Sequence, residues 1–456
     1  MKKNTKEQEK KKPLNYERMG HNPLKLFMPG YIIKGNENER VYHRYLQFVK
    51  YKQVDVLYLM LLVVLCAIGL ATMFSASYAS SINVTRDHIG YYYAQRQAAF
   101  FIAGFAGIFV LQFIDYHVTR NVLINGLILG AGLALMVAVL VAGRADPEQA
   151  AIAGDDAGGA TRWLYIFGIR FQPSELMMMS LIFALSRILS VNADKIGSKA
   201  TYAEEFTVWF KCMALIGITA VLMYKQPHLS GMVIICLIGV CMMYVAGIRL
   251  PFMLVTVLGG GIGGIAIMLA KYAEGGYVYK RIEGWLHTWD PANADIAWQT
   301  RNSLIAIGSG GLWGLGFRNS RQKFLYLPEP HNDFIFSVIC EELGIVTGII
   351  IIILFVMLTI RGAWTALNAL DRYGMLLSAG ISLHFIIQVM LNVAVVSNAM
   401  PNTGISLPFF SYGGSAVLIQ FLEAGMVLNI SRQYFERQGI EQQKSAELIP
   451  VDRRKK

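Results

Sequence analysis

Apolar residues gather along this chain in long segments that short polar connections separate. Most of these segments have about the length that an α-helix needs to cross a bilayer, roughly 20 residues. The pattern predicts an all-α polytopic membrane protein with about ten transmembrane helices. The predicted spans lie near residues 55–76, 98–115, 121–143, 175–190, 209–224, 229–248, 250–270, 334–360, 374–397 and 407–430.

Three polar stretches between these spans are long enough to fold, namely residues 77–97, 144–174 and 271–330. The third lies between the seventh and eighth helices and mixes arginine, lysine and tryptophan with a run of glycines. Basic and aromatic groups on flexible backbone beside a bilayer suit a lipid-linked phosphorylated sugar. We therefore predict that residues 271–330 form a large extracellular loop.

Composition and charge support a membrane location. Of the 456 residues, 55% are hydrophobic and only 16% are charged, which is more apolar than a soluble core of this size would use. The net charge of +11 could suit nucleic acid, but the basic residues cluster in the tails and beside span ends, so we expect no nucleic-acid partner. An even number of spans places both termini on one side. Roughly 28 of the 41 Lys and Arg lie on that side, as expected of the cytoplasm.

The predicted organisation has three parts. Residues 1–54 form a cytoplasmic basic tail that ends in a juxtamembrane amphipathic segment. Residues 55–432 form the membrane domain, and residues 433–456 form a cytoplasmic C-terminal tail. This predicts a multi-pass plasma-membrane protein.

Asp333 is the leading candidate for chemistry, because it lies where the glycine-rich loop turns into a long apolar segment. A carboxylate at a membrane edge is costly to place, so a functional role is the default hypothesis. The structural alternative is that Asp333 caps its helix or pairs with an arginine.

Glu341 and Glu342 follow Asp333 on the same predicted helix. At 100° and 1.5 Å per residue, Glu341 lies about 80° around and roughly 12 Å along from Asp333, and Glu342 lies about 180° around. A paired-carboxylate hydrolase needs two acids within about 5 to 9.5 Å, so the spacing disfavours one. A single carboxylate among cations favours a transferase in which the acid removes a proton from an acceptor hydroxyl. Buried pairing or packing is favoured for Glu341 and Glu342.

Four basic residues at the predicted outer ends of spans or in the long loop could hold a pyrophosphate group. The alternative for each is an interfacial cation whose charge reaches the headgroups. These candidates are Arg96, Arg162, Lys225 and Arg281.

Several motifs resemble the SEDS family, the bacterial shape, elongation, division and sporulation proteins. The match runs in the family's order over about residues 55–432, and it looks more like the division and sporulation members than the elongation member. The matching stretches are residues 74–77, 96–97, 162–164, 171–176, 226–230, 328–344 and 403–415.

The resemblance implies a ten-helix membrane glycosyltransferase that polymerises lipid II into β-1,4 glycan strands and releases undecaprenyl pyrophosphate. It implies Asp333 as the catalytic residue, Ser411 as a further substrate-binding candidate and Glu175 as a structural residue. It also implies a class B penicillin-binding protein as transpeptidase partner, together with divisome or elongasome proteins. No dedicated metal-ligand cluster is visible in the sequence, so a divalent cation, magnesium or manganese, is left open.

Three other functions use the same features. A polymerase for cell elongation instead of division has the same chemistry. A lipid II flippase needs the same cavity, cations and location, and a scaffold that activates its penicillin-binding partner needs no catalytic Asp333.

Overall fold

A computed structural model describes most of the chain. Residues 1–53 of the predicted N-terminal tail and the predicted site residue Arg162 lie outside the described residues. The described residues are 54–84, 89–145, 155–156, 160–161, 163–166, 169–198, 200–226, 228–324 and 326–447.

Long apolar helices dominate the described part of the chain, which confirms the predicted all-α membrane architecture. Within it, nine helices are long and apolar enough to cross a bilayer, and a tenth, α7, has 17 residues. At 1.5 Å per residue α7 is roughly 25 Å long, slightly less than a hydrocarbon core of about 30 Å. The ten are α1 Val56–Ala76, α3 Tyr92–Leu111, α4 Val122–Ala145, α5 Pro173–Val191, α6 Tyr202–Lys225, α7 Leu229–Val245, α8 Leu250–Ala273, α11 Ile335–Leu367, α12 Arg372–Val396 and α13 Gly414–Glu447.

Shorter elements fill the connections. Two antiparallel pairs of very short strands, β1 with β2 and β3 with β4, lie in the second predicted polar stretch. Their register pairs Asp155 with Thr161 and Leu164 with Phe171. The shorter elements are α2 Tyr78–Val84, 3-10 helices Tyr116–Arg120, Ala193–Lys195 and Pro291–Asn293, strands β1 Asp155–Asp156, β2 Ala160–Thr161, β3 Leu164–Ile166 and β4 Ile169–Phe171, and helices α9 Tyr277–Leu286 and α10 Trp298–Gly310.

Local signals in the sequence explain where several spans begin. The Asp55 side chain caps α1 by accepting from Tyr58 N, and Asp371 caps α12 in the same way through Gly374 N. Thr201 and Glu204 form a reciprocal capping box at the start of α6. This capping explains why α6 starts at Tyr202, earlier than the predicted residue 209.

The bundle has two ends, which we name after the acids that lie there. At the Asp371 end, Asp55 N, just before α1, is bonded to Ser431 Oγ near the end of the last span at 3.2 Å. At the Asp333 end, Ser75 in the last turn of α1 reaches Glu342 of α11 at 2.7 Å. The first span therefore begins, and the last span ends, at the Asp371 end of the bundle.

The core lies along α5, α12 and the membrane part of α13, which are mostly buried, whereas α8 exposes most of its surface. α11 packs against α1, α10 and α12, and α13 packs against α3. The Asp333 turn therefore sits among helices from both halves of the chain.

The start of the last span and the content of the long loop differ from the sequence prediction. Residues 407–413 are not helical, because Pro408, a positive φ of 62° at Phe409 and two glycines delay α13 until Gly414. The predicted loop 271–330 contains α9 and α10. At the other end α13 continues to Glu447, past the predicted domain boundary at residue 432.

Candidate active site

Asp333 lies in the turn that leads into α11, which begins at Ile335. Its backbone carbonyl accepts a 2.9 Å hydrogen bond from Asn392 Nδ2 on α12. The same amide donates to the carbonyl of Ile405. The fully buried Asn392 therefore joins the Asp333 turn to the connection between α12 and α13, residues 397–413, which we call the return segment.

The carboxylate of Asp333 is close to the backbone of the return segment. A Cβ placed on Gly404 would stand 3.0 Å from Asp333 Oδ2. Gly404 has a φ of +70°, a conformation that glycine adopts without the cost of a side chain. Asp333 is half-buried, and its carboxylate lies beside the backbone of the return segment.

The return segment also binds the two residues before Asp333. Ser411 Oγ donates to the carbonyl of Asn332 and accepts from Leu407 N, both at 2.7 Å. Tyr412 N donates to the carbonyl of His331 at 2.9 Å. The predicted substrate-binding residue Ser411 is buried, and its hydroxyl bonds to backbone on both sides.

The His331 side chain lies beside the Asp333 turn and the return segment. Its ring stacks on Tyr93 with centroids 4.5 Å apart, and Tyr93 also meets Tyr412 edge-on. Burial lowers the pKa of His331 to about 4, so the ring is neutral near pH 7. The exposed Glu329 stands 3.9 Å from the ring, too far for strong pairing, so burial outweighs its charge. A buried, uncharged ring stacked on Tyr93 thus lies two residues from Asp333.

Arg281 on α9 forms a hydrogen bond to the return segment. Its guanidinium donates to the carbonyl of Asn402. The Asn402 side chain donates to Gln299 Oε1 on α10 at 2.6 Å and accepts from Gly404 N at 3.2 Å. The structure therefore brings the predicted cation Arg281 within two residues of Gly404.

Arg96 and Lys225 are exposed at the same end of the bundle. Arg96 covers the ring of Tyr92 at 4.6 Å, and its neighbour Gln97 donates to the carbonyl of Ser411 at 3.2 Å. Lys225 ends α6. Arg96 thus lies beside a residue that holds the return segment, whereas Lys225 shares only the end of the bundle.

Glu341 and Glu342 lie in a separate buried network. Glu342 pairs with Lys323 at 2.7 Å and accepts from Ser75, and Glu341 accepts from Arg321 N at 2.9 Å. Both carboxylates also bind Ser320. They hold the chain before Asp333 in place.

Glu175 lies in the first turn of α5 and is buried. Its charge interacts with those of His384 and Glu423, whose side chains form a 3.0 Å pair with no exposed surface. Within the described residues, Oε2 of Glu175 has no hydrogen-bond partner. Glu175 is thus part of the polar centre of the bundle and not of the Asp333 turn.

Sequence reasoning missed three amides that position the site: Asn392, Asn402 and Gln299. Asn392 could have been noticed, because an amide in an apolar span must find partners. Asn402 and Gln299 gave no such signal, since polar residues in loops are ordinary.

In the described part of the chain, no three His, Cys, Asp or Glu side chains come together as a metal site. The residues around Asp333 therefore do not form a resident metal centre by themselves. Magnesium in enzymes is often held by one or two carboxylates together with substrate phosphates.

Fold and site define a polytopic membrane protein that holds a half-buried carboxylate at one end of its helix bundle. The family described as "Cell cycle protein", which takes in FtsW, RodA and SpoVE, matches residues 55–436. The chain belongs to this family, and the predicted SEDS membership is confirmed.

Individual relatives cover most of the chain. It is 34% identical to "Probable peptidoglycan glycosyltransferase FtsW" of Trichlorobacter lovleyi over 83% of this chain and 93% of that one. It is also 34% identical to "Stage V sporulation protein E" of Bacillus subtilis, over 83% and 97%.

Two solved structures share the fold at 23% identity, each covering 84% of this chain and 98% of the other. One, with a TM-score of 0.64, belongs to work on how a peptidoglycan synthase complex coordinates polymerization and crosslinking. The other is RodA of Thermus thermophilus, with a TM-score of 0.57.

Proposed function

We propose that this chain is a peptidoglycan glycosyltransferase that joins lipid II disaccharides into β-1,4 glycan strands during cell division. Relatives named for this activity and for sporulation align over most of its length. The observation that carries the chemistry is the half-buried Asp333 carboxylate, positioned 3.0 Å from where a Cβ on Gly404 would be.

The proposed orientation places the Asp333 end outside a bacterial plasma membrane and both termini in the cytoplasm. The first and last spans meet at the Asp371 end through Asp55 and Ser431. The larger share of Lys and Arg lies on that side, which positive-inside sorting favours. No nucleotide sugar is available outside, so the donor must carry its own leaving group, as a polyprenyl pyrophosphate does.

In the proposed reaction, Asp333 takes the proton from the GlcNAc 4-hydroxyl of one lipid-linked disaccharide. The oxygen attacks the MurNAc anomeric carbon of the growing strand, and the bond from that carbon to undecaprenyl pyrophosphate breaks. Inversion at this carbon converts an α-linked donor into a β-1,4 product. The neutral His331 ring, buried against Tyr93, supports the turn that carries Asp333.

Cations stabilise the departing pyrophosphate in this mechanism. Arg281 is the best placed, because it binds Asn402 close to Gly404. Arg96 is the second candidate, on the helix turn that also carries Gln97. Lys225 and Arg162 remain proposals: Lys225 lies at the same end of the bundle, and Arg162 lies outside the described residues. No step of the reaction is assigned to a divalent cation.

We also propose a class B penicillin-binding protein as partner, within the division machinery. The partner would crosslink strands as they leave the Asp333 end. Support comes from a structural neighbour that belongs to a complex coordinating polymerization with crosslinking.

The test is lipid II polymerisation by the purified full chain with its class B partner. Three proteins are compared at matched thermal stability: wild type, Asp333→Asn, and Asp295→Asn. Asp295 is an exposed acid between α9 and α10, so its variant makes the same chemical change away from the site. We expect strands from wild type and Asp295→Asn, and a loss of about 100-fold or more for Asp333→Asn.

Equal activity in all three proteins would remove Asp333 from the mechanism. Wild-type protein that moves lipid II across vesicles but forms no strands would favour the flippase.

A further inference from the structure

The length of α11 locates the membrane surface. Its 33 residues would span roughly 50 Å as a straight helix, against about 30 Å of hydrocarbon. The helix is interrupted at Gly344, where φ is 82° and ψ is 164°. The part after Gly344 is about 23 residues, or roughly 34 Å, and suffices to cross. Gly344 therefore marks the headgroup level at the Asp333 end.

A loop is fixed at this level. Residues 311–324, which we call the arginine loop, bind the backbone of α11 on both sides of Gly344. Ile345 N donates to the carbonyl of Gly311 at 3.0 Å, and Leu315 N donates to that of Glu341 at 2.9 Å. A Cβ on Gly344 would stand 2.2 Å from the carbonyl oxygen of Leu312, so the contact requires glycine.

The arginine loop exposes apolar side chains at the headgroup level. Trp313 is 79% exposed, and Leu312, Phe317 and Phe324 are exposed with it. Tryptophan and other aromatic residues favour the boundary between acyl chains and headgroups. This surface therefore fits a lipid interface better than bulk water.

Two arginines lie in the same loop beside a concavity of about 450 Å³. Its floor is rigid, because Ser320 is buried and Arg321 N binds Glu341 at 2.9 Å. The Arg318 guanidinium covers the Tyr78 ring at 4.8 Å. The lining residues are Leu315, Arg318, Asn319, Ser320, Arg321 and Phe324.

We propose that this concavity binds the headgroup phosphate of an anionic phospholipid in the leaflet at the Asp333 end. Arg318 and Arg321 would hold the phosphate, since guanidinium groups match its oxygens in pairs. Leu312 and Trp313 would enter the adjoining acyl region.

Position separates this concavity from the proposed catalytic turn. Its floor is bonded to Glu341, which lies inside α11 in the buried network with Glu342, whereas Asp333 lies in the turn before α11. A bulk phospholipid, and not the sugar substrate, is therefore the occupant to which the proposal commits.

The experiment uses the full chain in nanodiscs of phosphatidylcholine with increasing phosphatidylglycerol, without lipid II. Native mass spectrometry counts each lipid retained by the released protein. The variants are Arg318→Gln/Arg321→Gln, the single Arg321→Gln in case the double variant is poorly folded, and Lys271→Gln/Lys280→Gln. The lysine variant removes two positive charges from α8 and α9 at the same end.

We expect wild type to retain phosphatidylglycerol over phosphatidylcholine. Apparent affinity should fall about fivefold for each arginine removed and less than twofold for the lysine variant. Equal retention by the arginine and lysine variants would overturn the proposal. So would displacement of retained phosphatidylglycerol by undecaprenyl pyrophosphate, or by a class B partner, because either would be the true occupant.

Because lipid II is absent, this result does not depend on the proposed catalytic activity.

Discussion

The Asp371 end and the Asp333 end of the bundle use the same residue types for different purposes. At the Asp371 end, His117 lies 2.7 Å from Asp115 and 3.6 Å from Asp371, and Arg120 adds a second cation for Asp371. At the Asp333 end, the catalytic candidate is half-buried beside a glycine and near a neutral histidine.

The two histidines make the difference explicit. Burial alone would lower the pKa of His117, but hydrogen bonds and charges from Asp115 and Asp371 outweigh it and raise the pKa to about 9. Burial also lowers the pKa of His331, and no such compensation follows. His117 is therefore protonated beside its two acids near pH 7, whereas His331 is neutral two residues from Asp333.

The largest expected effect concerns the buried pair that supports the Asp333 end. Lys323→Met would leave Glu342 buried without its cation, which typically costs about 3–5 kcal/mol. The free energy of unfolding in detergent should fall by that order. Lys271→Met, which breaks an exposed pair with Glu274, should change nothing measurable. If the free energy of unfolding falls no more for Lys323→Met than for Lys271→Met, the pair between Lys323 and Glu342 does not stabilise the fold.

Gly404→Ala tests the closeness of backbone and carboxylate. A Cβ at 3.0 Å from Asp333 Oδ2 would displace the carboxylate, and we expect polymerisation to fall by about 10- to 100-fold. Gly275→Ala is the matched control, since its φ of +71° gives similar backbone strain with open space around it. Both should lose about 1–2 kcal/mol of stability. Equal activity in the two would refute the positioning role of Gly404.

Stability against pH separates the two ends. The folded pKa of His117 lies above its unfolded value of about 6.5, so its stabilisation is complete below pH 6.5 and is lost as pH rises towards 9. His117→Gln should remove a pH-dependent contribution on the order of 1–3 kcal/mol in that window.

His331 has the opposite sign. Its folded pKa of about 4 means that its contribution is complete above pH 6.5 and is lost as pH falls towards 4. Unfolding of wild type and His331→Gln measured from pH 7 to 4 should diverge towards acid. Parallel curves for either histidine would contradict its assigned environment.

Arg96→Gln should have the smallest effect. Its contact with Tyr92 is exposed and contributes no more than about 1 kcal/mol. If Arg96 helps to hold pyrophosphate, kcat falls severalfold, by less than about tenfold, and Arg96→Lys restores most of it. A kcat that does not change in either variant would leave Arg96 an interfacial cation.

Much of the architecture could be predicted because the thickness of the bilayer sets the number of apolar residues that a transmembrane helix needs. The predicted spans correspond to observed helices, including the short α7. Asp333 was found for a similar reason, since an acid at a membrane edge is conspicuous. The late start of α13 was missed, because residues 407–413 look apolar but contain Pro408 and a positive φ at Phe409.

The class of protein, the order of its apolar spans and the position of Asp333 just before a helix could be inferred from the order of residues along the chain. The bonds by which Asn392 and Ser411 tie the return segment to the Asp333 turn, and the closeness of Gly404 to the Asp333 carboxylate, arise only in the folded bundle. Burial of an apolar segment depends on its local composition, which the sequence shows directly. Bonds between residues about 60 to 80 positions apart depend on how helices pack.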